Sequence, residues 1–320
     1  MSPASDPLLP GTHTMSVQGV LQRFHVAGSG PLCLVHSGGP GIGWEYLRMP
    51  ELEQHLTLVY LEPIGTGGSG HLSRPQDYRI DTYAHFLHGV VEHLGAPRPF
   101  LLGHSHGGLV AQRYAFTHPT VLAGLILYDT SPRTGEEFWN QALSNLDLLP
   151  ERHPGQPEAA GIPEAFRKTL AATDNESCTQ GLRAVLPAYF ADYWAHESDL
   201  APIRATVRAW VDPMRAGEDP FDSRDRLRDI TAPTLVISGG HDFVCGPVWG
   251  RLLHEGIARS RFVLLKDSGH LGHLEEPGAF TSAIVDFVLG AGRPVDSRTP
   301  APSAATSGRS AARPWIQRTR

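Results

Sequence analysis

The stretch PFLLGHSHGGLVAQRYA, residues 99–115, decides how the rest of the chain is read. It opens on PFLLG, an apolar run of the length of a strand buried on both faces. It closes on LVAQRYA, whose apolar positions recur at helical spacing. Between them Gly103, His104, Ser105, His106 and Gly107 fit G-x-S-x-G. The physics of that pattern is a tight strand-to-helix turn, in which the serine takes a strained backbone and lifts its hydroxyl clear of the sheet. Glycines two residues to either side leave room for the turn. Three readings compete for Ser105: a nucleophile, part of a metal site with its flanking histidines, or a polar turn residue. The strand before it and the helix after it favour the first.

Working outward, the same design repeats. PLCLVHSGGPG, LTLVYLEPIGTGGSG, LAGLILYDTSP, PTLVISGGHD and RFVLLKDSGH are apolar runs that break into polar or glycine-rich residues. Helical patterns such as IDTYAHFLHGVVEHLG and GAFTSAIVDFVLG lie between them. THTMSVQGVLQRFHVAG alternates and reads as an antiparallel pair at a sheet edge. Alternating strands and helices predict an α/β architecture with a mostly parallel, doubly wound sheet, in which ligands bind beyond the carboxyl ends of the strands. His36 to Gly41, Ser105, Asp242 and His270 all fall at those ends. Residues 133–225 break the rhythm and read as a helical cap or lid. Residues 1–132 and 226–291 are then the core, and the Pro-, Ala-, Ser- and Arg-rich segment 292–320 a disordered tail.

Composition excludes several classes. Of the 320 residues 41% are hydrophobic and 19% charged, which suits a folded domain with a sizeable core. The net charge is −6, and the tail carries six arginines against one aspartate, which leaves −11 on the body. No basic face stands out there, so nucleic acid is not an expected partner. Three widely spaced cysteines, Cys33, Cys178 and Cys245, argue against a disulfide framework and a CxxC zinc site. No apolar stretch is long enough to span a membrane, and the first residues do not resemble a secretory signal. The expectation is a cytoplasmic protein acting on a small molecule or short peptide, without cofactor or metal.

A serine nucleophile needs a base, and the base an orienting carboxylate. Asp242 and His270 follow Ser105 in the order Ser, acid, His, each at a strand end. His273 and Asp267 are rivals nearby, and Asp129, ending LAGLILYD, is the best substitute acid. The oxyanion needs two backbone N–H donors: His106, following the nucleophile, and the HSGGPG turn, where Gly38 is chosen and Ser37 and Gly39 are neighbours. Two decoys fall away. GTGGSG, residues 65–70, matches a dinucleotide loop but runs into HLSRPQDYRI and not directly into a helix. His104, His106, His270 and His273 lack the acidic or HExxH context of a metal site.

SGGPG, GHSHGG, SGGHD and SGHLGHLEEP together resemble the α/β-hydrolase superfamily, and within it the proline iminopeptidase-like branch, over about residues 15–290. The resemblance implies a serine hydrolase with a helical cap, with roles carried to Ser105, Asp242 and His270 and to backbone donors at Gly38 and His106. The chain departs from the branch at Ser37, where a His precedes GGPG. It departs again at Glu62 and Ile64, where Asp and Arg stand, and at His106, where Trp is frequent. These positions bear on aminopeptidase specificity more than on hydrolysis. An aminopeptidase also needs cap carboxylates for the substrate ammonium, for which Glu136, Glu137, Asp192, Glu197 and Asp199 are candidates. An esterase, lactonase or C–C hydrolase with the same triad, and a binding protein on the same scaffold, remain the alternatives.

Overall fold

The structure is a computed structural model and describes residues 6–211 and 220–290, so the expected tail at 292–320 lies outside the described residues. Its strands are β1 Gly11–Val17, β2 Val20–Gly28, β3 Leu32–His36, β4 Thr57–Glu62, β5 Phe100–His104, β6 Gly124–Tyr128, β7 Thr234–Gly239 and β8 Ser260–Leu265. Among the described residues they form one sheet in the order β1-β2-β4-β3-β5-β6-β7-β8. The β1–β2 and β2–β4 pairs are antiparallel and every other pair is parallel. The alternating segment at the N-terminus thus becomes the antiparallel edge, and the continuous apolar runs become the parallel body.

Each parallel strand sends alternate residues to opposite faces. Leu34, Val59, Leu101, Leu125 and Val236 pack beneath the helices Ile80–Leu94 and His106–Thr117. Val35, Leu102, Ile126, Leu235 and Ile237 meet Phe280, Ile284 and Phe287 of the helix Pro277–Gly290 on the other face. Burial on both faces is why these strands read as unbroken apolar runs. The chain passes from β3 outward to β4 and then returns across β3 to β5. The strand order therefore reverses at β3 and β5, where this class of sheet opens a crevice.

Between β6 and β7 the chain is helical at Glu136–Asp147, Leu149–Arg152, Ile162–Leu170, Asn175–Val185 and Glu197–Thr206. Their apolar side chains form a further cluster that includes Phe138, Phe166 and Leu182. That cluster also takes in Phe243, Val244, Cys245 and Leu271, from the loops that follow β7 and β8. The three cysteines are buried and form no disulfide. Cys33 lies within the sheet and burial pushes its thiol up to about 12. Cys178 lies in the helix Asn175–Val185. No helix of the described residues is long and apolar enough to cross a membrane.

Candidate active site

Ser105 follows β5 directly and caps the helix His106–Thr117 with φ 53° and ψ −121°. That left-handed conformation is strained for any residue but glycine, and such strain typically amounts to ~1–3 kcal/mol. Neighbouring strands hold it in place. The Ser105 N–H donates to the Tyr128 carbonyl at 3.0 Å, and the Ser105 carbonyl accepts from Thr130 Oγ1 at 2.7 Å. The local spacing follows from close approach. A Cβ on Gly107 would stand 2.3 Å from the His36 carbonyl oxygen, and one on Gly103 would stand 2.3 Å from that of Gly107.

The two distant residues converge on this turn. Asp242 and His270 are both buried, and His270 Nδ1 donates to Asp242 Oδ2 at 2.7 Å. The other carboxylate oxygen, Oδ1, accepts from the N–H groups of Val244 and Cys245 at 2.8 and 3.0 Å. Asp242 is thus held by its own loop with one oxygen aimed at the imidazole. Ser105 and His270 line one cavity. Among the described residues no hydrogen bond joins Ser105 Oγ to His270; such contacts commonly tighten when substrate binds.

The rivals occupy other places. His273 is buried, donates from Nε2 to the Tyr46 carbonyl at 2.8 Å, and takes the Tyr128 hydroxyl on Nδ1 at 3.0 Å. Burial lowers it to about 4, so it stays neutral at ordinary pH. Asp267 is an exposed turn residue. Residues 65–70 fold back on Glu62, which accepts the Gly68 N–H, and the next α-helix begins only at Ile80.

His104 anchors a chain of bonds that no sequence pattern announced. Its Nε2 faces the His270 carbonyl at 3.0 Å, and a carbonyl only accepts, so the proton is on Nε2. Nδ1 must then accept, and the Tyr46 hydroxyl donates to it at 2.7 Å. The Tyr46 oxygen in turn accepts the Gly38 N–H at 2.7 Å. Burial, and then the nearby His270, hold the His104 imidazole well below the usual histidine range, so the ring is neutral and its hydrogen bonds fix the tautomer. Gly38 does lie against Ser105, since a Cβ there would come 2.9 Å from Ser105 Cβ. Its N–H, however, is engaged by Tyr46. Among the described residues the N–H groups of Gly39, next in the turn, and of His106 carry no hydrogen bond. The His106 ring is buried edge-on to Tyr83 at 5.2 Å, and burial followed by the proximity of His36 lowers it to about 3.

The cavity measures about 350 Å³ and is walled by Phe138, Trp139, Phe166, Leu186, Tyr189 and Phe221, among others. None of the described residues that line it is an Asp, Glu, Lys or Arg. The five cap carboxylates singled out above, Glu136, Glu137, Asp192, Glu197 and Asp199, are all solvent-exposed. For a metal, two sets of donor atoms converge within 4.8 Å among the described residues: His104, Asp129 and His270, and Asp242, Cys245 and His270. Neither is the four-histidine set that the sequence offered.

The chain matches the family described as alpha/beta hydrolase fold over residues 30–277, and it belongs to that family. It is 27% identical over 276 residues to the 2-hydroxymuconate semialdehyde hydrolase of Pseudomonas sp. (strain CF600), covering 84% of this chain and 91% of that one. To the proline iminopeptidase of Saccharolobus solfataricus it is 25% identical over 285 residues, covering 83% and 87%. The crystal structure of the enol-lactonase from Burkholderia xenovorans LB400 superposes with a TM-score of 0.66 at 25% identity, covering 87% of this chain and 100% of that one. The relatives are hydrolases, and the chain is a hydrolase of this fold.

Proposed function

We propose that this hydrolase is a serine esterase acting on a small, uncharged ester or lactone. The observation that carries the reading is the buried His270–Asp242 pair, whose His270 lines one largely apolar cavity together with the strained Ser105. Ser105 attacks the carbonyl while His270 Nε2 takes its proton. Asp242 holds the imidazole in the tautomer with the proton on Nδ1 and stabilises the imidazolium. The oxyanion is received by the His106 N–H and by the SGGPG turn. There Gly39 replaces Gly38 as donor, because the Gly38 N–H is given to Tyr46. The tetrahedral intermediate collapses, the ester C–O bond breaks and the leaving alkoxide takes the proton from His270 Nε2; water deprotonated by His270 then attacks the acyl-enzyme, releasing the acid and returning the proton to Ser105. Residues 133–225 act as a cap that supplies the apolar wall.

The peptidase reading is supported by the proline iminopeptidase relative and by the HGGPG-like turn. A free substrate ammonium buried without a carboxylate partner is costly, and the described lining offers none. This favours the ester. Wild type and Ser105→Ala should be assayed on p-nitrophenyl esters from acetate to decanoate and on aminoacyl anilides including the prolyl one. Esters should turn over and anilides should not, and Ser105→Ala should lose ~10³-fold or more of the ester rate. Turnover of the prolyl anilide in preference to esters would reverse the ester assignment, and full activity in Ser105→Ala would remove the nucleophile.

A further inference from the structure

We propose that Asp129 is a second acid for the His270 imidazole, held in reserve behind Asp242. The inference rests on the triad reading above. β6 and β7 are neighbouring parallel strands, with Tyr128 opposite Ile237, so the residues that follow them emerge side by side. Asp129 follows β6 directly and Asp242 follows β7 by three residues. Both are buried.

Asp129 is built into this place. It is one of the few non-glycine residues with positive φ, at 42°, a conformation that needs support from its surroundings. The support is visible. The Asp129 N–H donates to the Ile237 carbonyl at 2.9 Å, and Oδ1 accepts the Gly239 N–H at 2.7 Å. Its other oxygen, Oδ2, is buried with no hydrogen-bond partner among the described residues. An Asp129 oxygen, a His270 ring nitrogen and a His104 ring nitrogen all lie within 4.8 Å of one another. Both His104 nitrogens are already bonded, to Tyr46 and to the His270 carbonyl. The imidazole of His270 is therefore the partner that Asp129 is positioned to serve.

The charges explain why it waits. Besides the two histidines, Asp129 is faced by Asp242, Glu275, Tyr128 and Cys245. Burial first, and then the Asp242 charge, raise its carboxyl well above the usual carboxylate range. The hydrogen bonds are unequally shared between the two carboxyls: Asp242 takes two N–H donors and the imidazole, while Asp129 takes only the Gly239 N–H, so Asp242 is the acid the histidine already uses. If Asp242 is neutralised, its repulsion disappears, Asp129 ionises more readily, and its unpartnered oxygen can accept from the imidazole.

The test compares wild type, Asp242→Asn, Asp129→Asn, the double variant and Ser105→Ala on one p-nitrophenyl ester across neutral to alkaline pH, with thermal melts to check folding. Asp242→Asn should keep about 10²-fold more activity than the ~10⁴-fold loss typical of a lost triad acid. Its kcat should rise with pH as Asp129 gives up its proton. The double variant should fall a further ~10²-fold and lose that rise, while Asp129→Asn alone should cost under about tenfold. Equal rates in Asp242→Asn and the double variant, or a flat pH profile in Asp242→Asn, would overturn the proposal. Asp129→Ser, which is smaller than the native side chain, repeats the comparison if the amide misfolds. Activity in Ser105→Ala would instead overturn the triad reading on which this one stands.

Discussion

At Ser105 the backbone has almost no freedom to adjust. The turn passes between the His36 and Ser37 carbonyls on one side and the strand carbonyl of Tyr128 on the other. Gly107→Ala would place a methyl 2.3 Å from one carbonyl oxygen and 2.7 Å from the next, and backbone atoms cannot swing aside as a side chain can. Overpacking of this kind costs ~1–3 kcal/mol, so the variant should melt several degrees lower and lose activity as Ser105 shifts. A melting curve superimposable on wild type would contradict the packing described for this turn. Residues of this kind were legible in the sequence because pattern, strand and helix are all local. Tyr46 was not legible. Its hydroxyl links Gly38 to His104, which lies 58 residues beyond Tyr46 in the sequence, and nothing near Tyr46 marks it.

At the scale of elements, the loop that delivers His270 is fastened by two adjacent glutamates whose function was not apparent in SGHLGHLEEP. Glu276 Oε2 accepts from the Asp267 N–H and from Ser268 Oγ, at 3.0 and 2.6 Å. Glu275 accepts from the Gly269 N–H at 2.7 Å and from the Ala191 N–H at 2.8 Å, and so ties the histidine loop to the segment between β6 and β7. Burial raises Glu275 from 4.5 to about 7, against the pull of those N–H groups. The folded state therefore binds more protons here than the unfolded state, and stability declines as the pH rises through that window. Glu275→Gln should flatten this part of the pH dependence. Urea titrations at the two ends of the window test it, and an unchanged slope would mean that another group sets it.

Across the whole molecule, the sheet and its site were legible to different depths. Strands buried on both faces announce themselves as apolar runs, and the residues that follow them sit at one edge of the sheet. Ser105, Asp242 and His270 could therefore be gathered from positions far apart in the chain. The character of the cavity could not be read in this way. It depends on which side of each helix between β6 and β7 turns inward, and the acidic residues that looked available for a substrate ammonium face water. Asp129 was visible as a rival acid. Its standing beside Asp242 follows only from the adjacency of β6 and β7.

The three buried thiols are distributed in a way that makes them a set of clocks. Cys33 is shut within the sheet, Cys178 within a helix beyond β6, and Cys245 sits in the loop after β7, on the wall of the cavity. Cys33 and Cys178 reach solvent only when the part that encloses them opens, while Cys245 is reached through the cavity, so each rate of alkylation times a different kind of access. Timed exposure to iodoacetamide, read by peptide mass spectrometry, should modify Cys178 and Cys245 before Cys33 if the helical layer parts from the sheet before the sheet unravels. Equal rates at all three would mean that the chain opens only as one cooperative unit, with no separate movement over the cavity.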